Sequence, residues 1–301
     1  MNNIISKALT LMAIILIGYI FKKINILKKQ DFTVISSIVL RLTLPCAIIT
    51  SLNGTKLSFE MLSIIIIGFV FNIILVLVGY FMSKNKIDKS FSMLNLSGFN
   101  IGNFSLPFVS GFFSSNAILA TCMFDAGNAI MCLGTTYGIA SAIQTSSKKF
   151  DYGIIFKKLI SSVPVCTYML MIVLSICNII IPSNFITFTQ TIGAANTFLS
   201  MLMIGIAIEV YFDKKSISLL WKYIVVRYSI CGLLALLIFF ISPFSLEIRQ
   251  TIVILLFSPI TSLATVYTQK LEGNTELSAC INSVSIILSV IIVTLLILLF
   301  S

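Results

Sequence analysis

The 301-residue chain has no histidine, and its aspartates and glutamates together number only ten. Without imidazole there is no zinc–histidine chemistry, no histidine-based nucleophile triad and no histidine proton relay. No pair of carboxylates stands at general acid–base spacing, and no GxxxxGK[ST] loop is present to drive ATP-dependent pumping. The seven cysteines (Cys46, Cys122, Cys132, Cys166, Cys177, Cys231 and Cys280) all fall in apolar runs and form no CxxC pair. They read as small buried hydrophobes, not as metal ligands or a disulfide framework. An intramembrane enzyme, such as a lipid transferase or protease, would need a nucleophile–base pair or a bound metal, so the expectation is a protein that is not an enzyme.

Charge of either sign is scarce. Charged residues make up 10% of the chain and hydrophobic residues 58%, where a soluble domain carries roughly 25% charged residues. The composition is that of a multi-pass membrane protein with the lipid bilayer as its main partner. A formal charge of +10 would point to nucleic acid in a soluble protein. Here the basic residues sit in short loops and set orientation instead, so no nucleic-acid partner is expected.

Apolar segments of about bilayer-crossing length run over 4–21, 34–52, 61–81, 93–113, 117–139, 159–181, 185–208, 219–241, 248–267 and 277–300. The first lacks a small-residue cleavage pattern and is followed by Lys22 and Lys23, so it reads as a permanent span rather than a signal peptide. Lysines crowd the odd-numbered loops: Lys22, Lys23, Lys28 and Lys29, then Lys84, Lys86 and Lys89, then Lys148, Lys149, Lys157 and Lys158, then Lys214 and Lys215, then Lys270. The N-terminal end and the even loops hold only Lys7, Lys56 and Arg249. The positive-inside rule then makes the odd loops cytoplasmic and puts both termini outside the cell membrane.

The central basic stretch, 144–158, divides the chain into a first five-helix set (1–143) and a second (159–301). Five is odd, so the second set enters the membrane inverted, and similar halves would be related by an axis in the membrane plane. The expected fold is an all-α polytopic membrane protein of ten helices arranged as two inverted five-helix repeats. The fourth span of each set carries a proline break, and the second carries a polar or small-residue interruption, Arg41 to Pro45 in one and Gly193 to Thr197 in the other.

The first proline break reads Gly98-Phe99-Asn100-Ile101-Gly102-Asn103-Phe104-Ser105-Leu106-Pro107. Pro107 removes a donor and crowds the carbonyl four residues earlier. Backbone groups freed at membrane depth need packed protein or a water-filled cavity. Asn100 and Asn103 share a helical face and need partners when buried. Gly98 and Gly102 permit close backbone approach, which is equally an ordinary packing device. The second break reads Phe257-Ser258-Pro259-Ile260-Thr261-Ser262. Alone it is a kinked helix whose hydroxyls bond back to their own backbone. Paired with the first, it predicts two half-helix N-termini meeting at the midplane, an arrangement that suits a carboxylate. Asn100, Asn103, Pro107, Pro259, Thr261 and Ser262 are therefore the candidate substrate-binding residues.

Asp125 lies well inside the fifth span, three residues before Asn128. A carboxylate there is costly, and it reads either as a proton-binding relay or as a buried partner of Arg41 or Arg227. Each of these arginines can either snorkel to the interface or attract an anion. Pro45, one turn beyond Arg41, is placed to open that helix. No metal and no cofactor is expected, and coupling to H+ or Na+ stays open.

Gly18-Tyr19 with Lys22-Lys23, Leu44-Pro45, the run Asn100-Ile-Gly-Asn103-Phe-Ser-Leu-Pro107 and Asp125-Ala-Gly-Asn128 together resemble the auxin efflux carrier family, whose bacterial members include malate and malonate permeases. The resemblance spans essentially the whole chain. It implies helices 4 and 9 crossing at prolines, an architecture similar to bile acid symporters and sodium–proton antiporters, and elevator-like transport of an organic anion. Carried over, Asn103 and Pro107 would lie at the first crossing and Pro259 at the second. Unlike the plant carriers, this chain lacks a long cytoplasmic loop and has hydroxyl residues after Pro259, which makes a small carboxylate a better substrate than auxin. The alternative in the same class is a cation–proton antiporter. A homodimer is compatible with either reading.

The orientation is open to a direct check. A cysteine introduced at Lys148 is expected to react with an impermeant maleimide only after the cells are permeabilised, and labelling of intact cells would invert the topology.

Overall fold

The computed structural model describes residues 2–28, 30–55, 58–145, 152–208 and 217–300. Lys29, Lys56, Lys148, Lys149, Glu209, Lys214 and Lys215 lie outside them. The described chain is all-helical, with one isolated pair of extended residues. Six helices among the described residues are long and apolar enough to cross a membrane: Asp31–Leu52, Phe59–Met82, Ser115–Thr145, Ser183–Ala207, Ile217–Ile241 and Thr275–Phe300. They present Val34, Ile66, Phe240, Leu295 and Leu299 outward, as expected where the surroundings are hydrocarbon.

The helices in chain order are α1 (Asn2–Lys23), α2 (Asp31–Ile38), α3 (Leu44–Leu52), α4 (Phe59–Met82), α5 (Lys86–Leu96), α6 (Leu106–Phe112), α7 (Ser115–Ile130) and α8 (Thr136–Thr145). There follow α9 (Tyr152–Ile160), α10 (Val163–Ile176), α11 (Ser183–Ala207), α12 (Ile217–Ile241), α13 (Leu246–Leu256), α14 (Leu263–Lys270) and α15 (Thr275–Phe300). Widened π turns join α2 to α3 (Val39–Thr43), lead into α6 (Ile101–Ser105) and join α7 to α8 (Met131–Thr135).

Two of these turns correct the expected role of the prolines. Pro45 and Pro107 each occupy the first turn of the helix that follows the π turn. A proline in mid-helix removes one donor and strikes the carbonyl four residues back. Widening the preceding turn by one residue relieves both effects, so neither proline breaks its rod. The interruption between α5 and α6 falls earlier, at Ser97–Asn100, where the chain is non-helical.

Other boundaries also moved. The stretch Gly193–Thr197 does not interrupt its helix, since α11 runs unbroken. Gly193 lets α11 touch the Ala47 backbone, and Asn196 accepts the Thr43 hydroxyl at 3.0 Å. The end of the central basic stretch is helical, carrying Lys157 and Lys158 in α9. The span expected over 159–181 is divided at Ser161–Ser162, with Pro164 in the first turn of α10.

Helix packing separates two bundles. α1, α2, α3, α10 and α11 pack chiefly on one another, and α4 to α8 with α12 to α15 form the larger group. The bundles meet where α3 and α10 touch α7, and where α11 touches α6 and the π turn before it. Inside the smaller bundle α1 and α11 cross at Gly18 and Gly205. A Cβ on Gly205 would stand 2.0 Å from the Ile15 carbonyl oxygen, backbone that cannot step aside.

Overpacking of this kind costs about 1–3 kcal/mol. Gly205→Val is therefore expected to lower the melting temperature of the detergent-purified protein, and an unchanged transition would mean that α1 and α11 do not cross this closely.

Candidate functional site

Two of the places where the chain leaves helical geometry in the larger bundle, residues 97–100 and 257–262, meet. Phe99 and Ile260 face each other as an antiparallel pair, and the Asn100 N–H donates to the Pro259 carbonyl at 2.9 Å. Breaking a helix strips several N–H and C=O groups of their partners, and buried groups of that kind must be paired again. The neighbouring helices supply side chains for this purpose.

On the first strand, the Asn72 amide oxygen in α4 accepts the Gly98 N–H at 2.8 Å. Asn128 in α7 accepts the Phe99 N–H at 3.0 Å and donates to the Phe99 carbonyl at 2.8 Å. On the second strand, Ser285 in α15 accepts the Ile260 N–H at 3.1 Å, while Asn282 donates to the Ile260 carbonyl at 2.9 Å. Arg227 in α12 closes the arrangement. Its guanidinium donates to the carbonyls of Leu96, of Gly98 at 2.9 Å and of Ser258 at 3.3 Å, and lies over the Phe99 ring at 4.8 Å. Arg227 is 1% exposed. It neither snorkels to an interface nor pairs with Asp125, which corrects those two readings and leaves the attraction of an anion open.

Gly98 holds φ at +80°, a region that side-chain-bearing residues rarely enter, and an added Cβ would stand 2.5 Å from the Thr261 methyl of the other strand. Its role is this turn at the crossing, not helix-to-helix packing at small-residue spacing.

A cavity of about 570 Å³ opens beside the crossing, on the seam between the bundles. That volume is within the range of small-molecule sites, roughly 300–1,000 Å³. Asn100, Gly102, Asn103, Thr261 and Ser262 line it, as do Asp125 and Asn128. Both resumed helices thus begin at its wall, one at Ile101–Asn103 and the other at Ser262–Leu263. Helix beginnings carry unpaired N–H groups and partial positive charge. The side-chain oxygen of Asn103 is buried there with no hydrogen-bond partner among the described residues. Half a turn of that amide would present a donor instead.

The Asp125 carboxylate accepts from Asn128 at 2.9 Å and from the Tyr168 hydroxyl of α10 at 2.8 Å. Its partners are thus an amide in its own bundle and a phenol in the other, and neither Arg41 nor Arg227. Arg41 is exposed and lines the cavity together with Lys158, at the end where α2 and α10 begin and α9 ends. Lys158 lies over the rings of Tyr137 and Tyr267, at 5.3 and 4.9 Å. Toward the opposite end the seam is filled by buried Phe104, Leu106, Phe108 and Val109, and Lys7 donates to the Gly111 carbonyl at 3.2 Å.

Three expected site residues sit elsewhere. Pro107 and Pro45 do not line the cavity and sit in the first turns of α6 and α3. Pro259 stands at the crossing but contributes its carbonyl to Asn100, not a surface to the cavity. Asn72, Asn282, Ser285 and Tyr168 were not anticipated as site residues. Each looks like an ordinary polar residue in an apolar run, and only the fold brings it to a break. No protein-family model matches the sequence, and no curated protein matches it significantly.

Two substitutions discriminate between the candidate breaks. Gly98→Ala must be strained at positive φ, with a cost of roughly 1–3 kcal/mol. Pro107→Ala leaves the crossing intact. Gly98→Ala is therefore expected to lower the melting temperature well below that of Pro107→Ala, and the reverse order would return the break to the proline.

Proposed function

We propose that the protein is a secondary or facilitated carrier of a small organic anion, a carboxylate of the malonate or malate class. The observation that carries this reading is the meeting of two helix beginnings at one cavity, where their N–H groups and partial charges favour a carboxylate. The cavity is polar where the crossing exposes it, closed toward one end by aromatic and aliphatic side chains, and bordered at the other by Arg41 and Lys158. With the lysine-rich loops cytoplasmic and both termini outside the plasma membrane, that entrance faces the cytoplasm.

Further support comes from a two-fold relation in the contacts. Asn72 and Arg227, 155 residues apart, each hold the crossing from the third span of their half, and Asn128 and Asn282, 154 apart, each hold it from the fifth. An inverted repeat of ten spans, divided near 144–158, accounts for that spacing. The larger bundle carries the crossing, and the smaller one lies across a seam bridged by the Asp125–Tyr168 bond. A sliding movement of one bundle along the other would carry the cavity past the seal, in the elevator manner of the auxin efflux carrier family and of the sodium–proton antiporter architecture. The cavity carboxylate Asp125 favours one other reading, cation–proton exchange.

Counterflow in proteoliposomes against dicarboxylates, monocarboxylates and indole acids tests the proposal. Accelerated exchange of a small carboxylate is expected, with Asn103→Ala abolishing it while the protein remains in the membrane. Sodium- or lithium-driven proton flux that Asp125→Asn abolishes, with no response to any carboxylate, would replace the carrier reading with exchange.

A further inference from the structure

We propose that Arg227 is a resident cation, a tethered guanidinium that fills the place of a coupling metal ion at the helix crossing and supplies the positive charge facing the bound anion. The proposal rests on the carrier reading for its substrate, but not for the cation site itself.

Carbonyl oxygens of unwound helices in membrane carriers are the usual ligands of a coupling sodium ion. Here three such oxygens, those of Leu96, Gly98 and Ser258, converge from both broken helices, and all three accept from one guanidinium. Two belong to the first break and one to the second, so the cation ties the strands together as a bound ion would. Among the described residues no carboxylate pairs with Arg227, and its Nε has no acceptor at all. A buried charge without a counter-ion is costly. Carbonyl dipoles and the Phe99 face offset part of that cost, and an anion arriving on the other side of Phe99 would offset more. Phe99 lines the cavity while its ring lies under the guanidinium, so this residue stands between the charge and the cavity. A charge that never leaves also needs no sodium to accompany the anion.

Two measurements separate this role from a structural one. In the first, thermal stability is read in detergent without any substrate. Arg227→Gly is expected to melt lower than wild type and to recover most of the loss when guanidinium chloride at sub-denaturing concentration, or sodium chloride, is added against a choline chloride control. Wild type should gain nothing from either salt. Equal responses of both proteins, or none in the variant, would overturn the assignment. In the second, uptake into proteoliposomes compares malonate with acetate. Arg227→Gln keeps donors but removes the charge, and is expected to raise the half-saturation concentration for the dianion on the order of tenfold more than for the monoanion. Arg227→Lys should restore the ratio. Equal losses for both anions would leave Arg227 a purely structural brace. If Arg227→Gly cannot be purified, the Gln and Lys arms still decide the point. Sodium-dependent uptake by wild type would defeat the resident cation while sparing the carrier. Guanidinium rescue without transport of any carboxylate would do the opposite.

Discussion

Two helices that stop and restart within a few residues of each other leave a group of amide N–H and carbonyl groups with no helical partner. Among packed apolar side chains every one of these must be paired, because each unpaired group costs several kcal/mol in a medium without water. This requirement organises the larger bundle. Asn72, Asn128, Arg227, Asn282 and Ser285 lie on four different helices, yet all face the two breaks, at Leu96 to Phe99 and at Ser258 to Ile260. Packing of α4, α7, α12 and α15 around α5 and α13 is therefore tied to polar bonds as much as to apolar contact.

The same pairing divides labour at the crossing. Groups facing the bundle interior are consumed by side chains, whereas the beginnings of the resumed helices face the cavity. That leaves donors and partial positive charge on one side only. Asp125 is the counterweight, an acid in the same wall, held by Asn128 in its own bundle and by Tyr168 across the seam. Any sliding of the bundles must exchange the Tyr168 bond for another, so the state of this carboxylate and the position of the bundles are coupled by geometry.

The seam itself is uneven. Toward the Lys7 end it is filled by large buried side chains, and toward the Arg41 and Lys158 end it holds the cavity. Close packing makes the filled part a barrier without any dedicated gate, since interiors packed to crystal-like density leave no path for a solute.

Composition by itself determined the membrane class, because hydrocarbon tolerates few polar residues. The two polar stretches near residues 98–107 and 257–262 were also legible, since amides and prolines inside apolar runs violate the local pattern. The position of the first break was not. Proline is the visible breaker in sequence, but a π turn absorbs Pro107, and the turn that matters belongs to Gly98, which holds a positive φ with the Thr261 methyl standing where a side chain would go. Nor could periodicity separate Arg227 from a snorkelling arginine: both occur near the end of an apolar run, and only the fold decides whether the side chain meets water or carbonyl oxygens. Local sequence determines where a helix can fail. Long-range packing decided which failure was used, because the bonds that satisfy it come from residues a hundred or more positions away.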